Sequence, residues 1–184
     1  MKRDQDTLKN AHKKYIRAHA LFRLLAGVAT LAAALVMGFN KETSIIAGYE
    51  FVVTYNRYPA FEFFLAGNAI ACGYSMVSLP FVSNLVEGYI LGVLDLLSLV
   101  LATAAASAGT AIGHLGKEGN DEVGWPQVCS FFEKFCQRAA ISLVCSYVGI
   151  LLFLIICALS SVYKTRQSNK GRILGPQPTA TTKE

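Results

Sequence analysis

Apolar residues gather in four long runs along this chain of 184 residues, and polar residues gather between the runs and at the two ends. The runs cover residues 18–39, 59–82, 88–113 and 138–163. Each has the roughly 20 residues that a helix needs to cross the hydrocarbon core of a bilayer. The pattern predicts an all-α membrane protein, in which residues 18–163 form a four-transmembrane-helix bundle.

The basic residues predict how this bundle is oriented. Six Lys and Arg residues precede the first run, in residues 1–17, and five follow the last, in residues 164–184. An even number of spans places both tails on one side, and basic tails favour the cytoplasm. The first and third loops then face outward. The second tail, residues 164–184, ends in a stretch rich in Pro and Thr, a composition typical of disorder, and we predict that it is disordered.

Composition argues against a soluble or nucleic-acid-binding protein. Hydrophobic residues make up 53% of the chain and charged residues 16%, against about 25% charged in an average soluble domain. The net charge of +5 comes from residues beside the spans, where membrane topology accounts for them. The three histidines, His12, His19 and His114, have no carboxylate or thiol at metal-ligand spacing. We expect no catalytic residues, metal or cofactor, and no nucleic-acid partner.

Two of the predicted spans each contain one charged residue. Asp95 is the only charged residue in 88–113, and Arg23 is the only one in 18–39. A charge inside a bilayer is expensive and usually faces a partner or serves a function. Counted from the cytoplasmic ends of their spans, Arg23 lies about 9 Å and Asp95 about 10 Å into the membrane. Equal depth predicts that the two residues form an intramembrane ion pair.

Three interpretations of these charges are compatible with the sequence. In the first, the pair is a structural clamp that fixes which helices touch. In the second, Arg23 extends to the headgroups and Asp95 is protonated. In the third, the pair belongs to an ion or proton relay. A relay needs further polar groups at successive depths, and the spans contain few, so the clamp is favoured.

Small residues are concentrated in the third run. They include Ala102, Ala106 and the pair Gly109 and Gly113, which together form a GxxxG sequence. Such residues allow two helix backbones to approach closely. The approaching helix is either a neighbour in the same bundle or a helix of a second copy, so the segment predicts helix packing or self-association.

The third loop contains a pattern that predicts both a helix and a disulfide. Val128, Phe132 and Phe135 recur at helical spacing, which indicates a short amphipathic segment. This third loop is the second of the two loops predicted to be extracellular. Cys129 and Cys136 lie on the oxidising side, where a disulfide is allowed. Two turns of helix would separate them by about 10 Å, too far for a bridge. A disulfide therefore requires that the helix break, and the alternative is two free buried thiols.

Several of these segments together resemble one family of plant membrane proteins. The first is Arg23 in the first span, and the second is Tyr58-Pro59-Ala60-Phe61 at the start of the second. Asp95 and the small residues of the third span follow. The most specific is the spacing that joins Trp125, Cys129, Phe132, Phe135 and Cys136 in the third loop. Over 23–162 the chain is similar to the Casparian strip membrane domain proteins and their CASP-like relatives.

The resemblance implies a fold and a function. The fold is a four-span bundle with cytoplasmic termini, similar to the MARVEL group. Founding members form immobile plasma-membrane scaffolds that recruit the machinery depositing lignin in the cell wall. Expected partners are the chain itself and other CASP-like proteins, as homodimers and heterodimers, the lipid bilayer and cell-wall-modifying proteins. Loop one, residues 40–45, lacks the acidic and aromatic signature of the founding members, which places this chain among the CASP-like relatives.

A plasma-membrane scaffold that organises a membrane domain and guides local cell-wall modification is therefore the leading hypothesis. The alternative is a small ion or proton transporter, or a channel subunit, in which Arg23 and Asp95 gate the movement of the ion or proton.

Overall fold

The fold is a bundle of four long helices, as the sequence predicts. The computed structural model describes residues 2–46, 48–80 and 89–173. Within them the helices are α1 (Lys2–Gly38), α2 (Pro59–Ser78), α3 (Tyr89–Glu118) and α4 (Glu133–Ile173). Each is long and apolar enough to cross a membrane. Helices suit this environment because all their backbone hydrogen bonds are internal. The prediction of a four-helix membrane bundle is confirmed.

The helices pack in a closed arrangement with two different ends. α1 packs against α2 and α4, and α3 packs against the same two helices. The start of α1 and the last turns of α4 lie together, and we call this the terminal end. The opposite end carries a β-hairpin and the segment between α3 and α4, and we call it the loop end. Every functional side chain discussed below is placed by its level between these two ends.

Two helices extend beyond the apolar runs. α4 continues to Ile173, ten residues past the predicted end of the span, and α1 already begins at Lys2. Lys, Gln and Arg are good helix formers, so a helix continues where the apolar run stops. Hydropathy therefore predicts where the apolar run ends and not where the helix ends. The predicted disorder of residues 164–184 is not found in residues 164–173, which belong to α4, and residues 174–184 lie outside the described residues.

α2 ends at Ser78, two residues before Pro80. Pro80 has no N–H to donate to the carbonyl of Met76, and Leu79 donates to that carbonyl instead at 3.3 Å, which closes the last turn. The rest of the predicted second span, residues 81 and 82, and the predicted start of the third span at residue 88 lie outside the described residues.

A β-hairpin projects from the loop end between α1 and α2. Strand β1 (Lys41–Ile46) pairs antiparallel with β2 (Tyr49–Thr54), and the register runs from Lys41 opposite Thr54 to Ile46 opposite Tyr49. Gly48 in the turn has φ +83°, a left-handed conformation that glycine adopts without steric strain. The base of the hairpin lies next to the first turn of α4, where Glu42 accepts a hydrogen bond from the backbone N–H of Phe135.

The segment between α3 and α4 differs from the prediction in one respect. No separate amphipathic helix forms over residues 128–135; a 3-10 turn at Val128–Ser130 is followed by Phe131 and Phe132, and α4 then begins at Glu133. The break allows a disulfide between Cys129 and Cys136, whose Cα atoms are 5.7 Å apart. The segment is still amphipathic, because Phe132 and Phe135 are buried against the bundle.

Glycine allows the closest helix contacts. A Cβ atom added to Gly67 of α2 would lie 2.6 Å from Ala105 Cβ of α3, and one added to Gly149 of α4 would lie 2.8 Å from Thr30 Cγ2 of α1. Both distances are far below van der Waals contact. These two glycines therefore set how near their helices can approach.

We predict that Gly67→Leu destabilises the bundle by about 1–3 kcal/mol, because the added side chain forces α2 and α3 apart. The matched control is Gly73→Leu in the same helix, where an added Cβ meets no atom within 4 Å. The measurement is the thermal unfolding midpoint of each variant in detergent. Equal midpoints for the two variants would contradict the close contact.

Candidate functional site

The two intramembrane charges meet in the interior of the bundle. Nη2 of Arg23 in α1 donates a hydrogen bond to Oδ1 of Asp95 in α3. The side chains are 0% and 1% exposed. Arg23 thus points into the bundle and does not extend to the membrane surface, a geometry that favours the clamp among the three interpretations.

Tyr74 of α2 completes this cluster. Its hydroxyl donates to Asp95 Oδ1 at 2.7 Å and lies 3.4 Å from Nη1 of Arg23. The guanidinium Cζ also lies 5.3 Å from the centre of the tyrosine ring, within the range of a cation–π contact. One residue from each of α1, α2 and α3 therefore joins at a single level, and we call Arg23, Tyr74 and Asp95 the polar clamp.

Sequence reasoning missed Tyr74. Tyrosine in spans is most often found at the interface, and Tyr74 lies within an apolar run. A buried tyrosine hydroxyl usually has a hydrogen-bond partner, so a tyrosine about two turns inside the predicted span was the available signal.

The polar clamp is stabilised mainly by the neutralisation of opposite charges. Arg23 Nε and Asp95 Oδ2 have no hydrogen-bond partner among the described residues. The cost of desolvating two charges is therefore offset by the hydrogen bond between Arg23 and Asp95 and by the hydroxyl of Tyr74. Loss of either charged partner leaves the other buried and unpaired, which is the costly case.

α4 is joined to α1 at the terminal end, by contacts between polar and aromatic side chains. His12 Nδ1 lies 2.6 Å from the hydroxyl of Tyr163, and the ring of Tyr15 stacks on that of Tyr163 with centroids 4.2 Å apart. One turn further into the bundle, His19 Nε2 lies 3.1 Å from Ser160 Oγ. His12 and His19 thus take part in packing between α1 and α4.

Further polar contacts join the helices nearer the loop end. The hydroxyl of Ser146 in α4 donates to Asn68 Oδ1 of α2 at 2.9 Å. The hydroxyl of Ser142, one turn away, donates to the carbonyl of Ala33 in α1 at 2.6 Å. All four side chains are buried. Polar groups in the bundle are thus used to hold one helix against another.

The small residues of α3 lie inside the bundle. Ala102 and Ala106 are 0% exposed. A Cβ added to Gly109 would lie 3.0 Å from Phe64 of α2 and 3.1 Å from Leu143 of α4, and one added to Gly113 would lie 3.8 Å from Leu143. These residues therefore serve packing within one chain, and a second copy has no access to Ala102 and Ala106.

The loop motif occupies the loop end of α3 and α4. Trp125 pairs with Asn120 through two backbone hydrogen bonds of 2.9 Å each, and its side chain is 53% exposed. Gly119, with φ +69°, precedes this pair, and an added Cβ would lie 2.8 Å from the carbonyl oxygen of Trp125. The disulfide between Cys129 and Cys136 then fastens the loop to the first turn of α4.

Loop one is fastened to the same turn of α4. The backbone N–H of Phe135 donates to the Glu42 carboxylate at 2.6 Å, and the Asn40 side chain donates to the Phe135 carbonyl at 2.9 Å. The first N–H groups of a helix have no partner within it, and a carboxylate there is stabilised by the helix dipole. Glu42 thus caps α4 across 93 residues of sequence.

Metal-binding groups do not cluster. In the described ranges, no three His, Cys, Asp or Glu side chains lie close enough together to hold a metal ion.

Comparison with known proteins identifies the family. The family model described as the Casparian strip membrane protein domain matches residues 12–152, which include the polar clamp and the disulfide. The chain belongs to this family. The match covers all of the membrane-spanning part of α1, α2 and α3 and more than half of the apolar length of α4.

Individual relatives agree with the family match. CASP-like protein 1F1 of Ricinus communis is 38% identical over 164 residues, covering 85% of this chain and 91% of the relative. Casparian strip membrane protein 1 of Helianthus annuus is 38% identical over 151 residues, covering 77% and 71%. No solved structure matches the chain. The chain is accordingly a CASP-like member of the family.

We predict that Asp95→Asn destabilises the protein by about 3–5 kcal/mol, because Arg23 is then a buried charge without a counter-charge. Arg23→Gln is expected to be about as damaging for the converse reason. The measurement is the thermal unfolding midpoint of purified variants in detergent.

The double variant Arg23→Gln with Asp95→Asn tests the pairing itself. It removes both charges, so it is expected to be more stable than either single variant. If the two single losses simply add in the double variant, the residues are not energetically coupled.

We predict that three of the five cysteines react with a maleimide reagent in the denatured, unreduced protein, and that all five react after reduction. The three are Cys72, Cys145 and Cys157, which are free thiols. Mass spectrometry counts the labels. Replacing Cys129 with Ser should raise the number of labels attached without reduction from three to four, because Cys136 is then free as well. Five labels on the native protein without reduction would rule out the disulfide.

Proposed function

We propose that this protein is a plasma-membrane scaffold that associates with itself and with other CASP-like proteins. Such an assembly organises a membrane domain and guides local modification of the cell wall through wall-modifying proteins. The observation that carries the proposal is the polar clamp, which uses the two intramembrane charges to join helices. A scaffold requires a stiff subunit, and the buried contacts among Arg23, Tyr74 and Asp95 join α1, α2 and α3 at a single level.

The arrangement of the core favours a scaffold over a transporter. Between the polar clamp and the loop end, the interior is filled by side chains that are 0% exposed, among them Met37, Phe64 and Phe153. The polar residues at these levels, Asn68 and Ser142, form hydrogen bonds with groups on the same or neighbouring helices. An ion or proton path needs polar groups along a continuous water-filled route. The packed side chains between the polar clamp and the loop end do not support such a route.

The proposed orientation places both termini in the cytoplasm and the loop end outside the cell. Basic residues near both tails favour the cytoplasm, as their counts indicate. The disulfide between Cys129 and Cys136 agrees with this orientation, because such bonds persist on the extracellular side and are rare in the cytosol.

Self-association in this proposal uses the outward faces of the helices. The small residues of α3 are occupied within one chain, whereas large apolar side chains such as Leu97, Val100 and Val144 are more than half exposed. In a bilayer, contact between such faces depends on van der Waals packing and lipid entropy. We therefore expect assemblies held by many lipid-facing contacts.

We predict slow and incomplete fluorescence recovery after bleaching when the fluorescently tagged full chain is expressed at the plasma membrane of plant cells. Asp95→Asn should be retained inside the cell or recover faster, because an unpaired Arg23 disrupts the subunit from which the assembly is built. The matched control is Glu62→Gln, which removes an exposed carboxylate from the first turn of α2. This control should behave as the native protein.

Two results would contradict the scaffold. One is rapid and complete recovery of the native protein at the plasma membrane. The other is an Asp95→Asn variant that reaches the surface normally and shows altered ion conductance, since that outcome is expected of a channel subunit.

A further inference from the structure

An apolar groove runs between α3 and α4 at the loop end. Its volume is about 770 Å³, within the range of about 300–1,000 Å³ found for ligand sites. The walls are almost wholly apolar and include Ile112, Gly113 and Gly116 of α3 and Ala140 and Leu143 of α4. One polar contact between helices, the 2.9 Å hydrogen bond between the hydroxyls of Thr110 and Tyr147, lies at one end of this groove. It is a feature of the bundle that the scaffold role does not use.

The groove crosses the predicted edge of the hydrocarbon layer. Its lower part, from residue 110 to 113 on α3 and from 139 to 143 on α4, lies within the apolar runs. Its upper part reaches Lys117 and Glu133, which lie outside the runs. The ten residues from Glu133 to Leu143 span about 15 Å, about half the thickness of the hydrocarbon core. An occupant would thus lie in one leaflet, with one end in hydrocarbon and the other at the interface.

The two ends of the groove differ in charge. Lys117 at the end of α3 and Glu133 at the start of α4 line its upper part on opposite walls. Lys117 is 75% exposed and lies 4.0 Å from the exposed Glu118. A cation and an anion on facing walls complement a headgroup that carries both charges, and the two carboxylates oppose a purely anionic one. Trp125 beside them is the type of residue that favours headgroup depth.

The length and lining of the groove suit an acyl chain. Its almost wholly apolar walls continue for about 15 Å along α4 and end at the charged residues Lys117 and Glu133. A lipid has the same order of parts, an extended apolar chain that ends in a charged headgroup.

We propose that this groove binds one zwitterionic phospholipid from the leaflet at the loop end. One acyl chain lies along the groove between α3 and α4. The headgroup phosphate lies near Lys117 and the headgroup amine near Glu133. The site is distinct from the general lipid shell because it has a fixed length, a charged pair at one end and an indole ring at its rim.

The chain contains one tryptophan, Trp125, so its tryptophan fluorescence reports on the rim of this groove. The experiment titrates the full chain in lipid-free detergent micelles with phosphatidylcholine brominated on one acyl chain, since bromine quenches tryptophan at short range. We expect quenching that saturates at one lipid per chain. Quenching that rises linearly with lipid and never saturates would show partition into the micelle and overturn the site.

A matched pair of variants separates the groove from the rest of the lipid-facing surface. Gly116→Leu fills the groove, and an added Cβ there meets only Cys129 Sγ at 3.9 Å. Gly73→Leu adds the same side chain on the open face of α2. Gly116→Leu should weaken saturable quenching about tenfold, and Gly73→Leu should leave it unchanged. Equal behaviour of the two variants would overturn the site.

The headgroup contacts are tested without altering the packing. Lys117 and Glu133 are exposed, so the double change Lys117→Gln with Glu133→Gln keeps the fold even if Gly116→Leu does not. It should weaken binding of brominated phosphatidylcholine, and the native chain should bind brominated phosphatidylglycerol more weakly than phosphatidylcholine. If the double variant and the anionic lipid both match native binding of phosphatidylcholine, the headgroup assignment is wrong.

Discussion

The penalty for placing a charge inside a bilayer is the constraint on which this structure depends. Arg23 and Asp95 are acceptable only where each neutralises the other, and that requirement fixes the rotation and depth of α1 relative to α3. Tyr74 adds α2 to the same level through its hydroxyl. In a bilayer, an apolar helix face packs as well against lipid as against another helix. A buried polar contact therefore specifies which helices are neighbours more strongly than apolar packing does.

Above this level the bundle is held by contacts of a different kind. Glycines set the distance between α2 and α3 and between α1 and α4, and serine and asparagine side chains join α4 to its neighbours. At the loop end, a disulfide and the Glu42 carboxylate both fasten to the first turns of α4. From the terminal end to the loop end, the helices are thus joined first by the ion pair, then by close packing and then by the disulfide. A stiff membrane subunit requires such contacts along its length.

The sequence predicted the parts of this structure that are governed by strong, isolated signals. Four apolar runs and two lone charges have few alternative explanations, whereas Tyr74 resembles any other aromatic residue until its partner is known. The extension of α4 to Ile173 was missed because hydropathy records the boundary between lipid and water. The spacing of Val128, Phe132 and Phe135 predicted a separate helix, and it also fits a 3-10 turn that leads into α4.

The separation of the two charges along the chain has a consequence for synthesis. Asp95 follows Arg23 by 72 residues, so at about 5–20 residues per second the arginine waits about 4–14 s for its partner to be made. During that interval α1 carries an unneutralised charge, which lipid headgroups or the insertion machinery must accommodate. Arg23 therefore gains its partner only when α3 has been made, and a chain arrested before α3 leaves this charge unpaired.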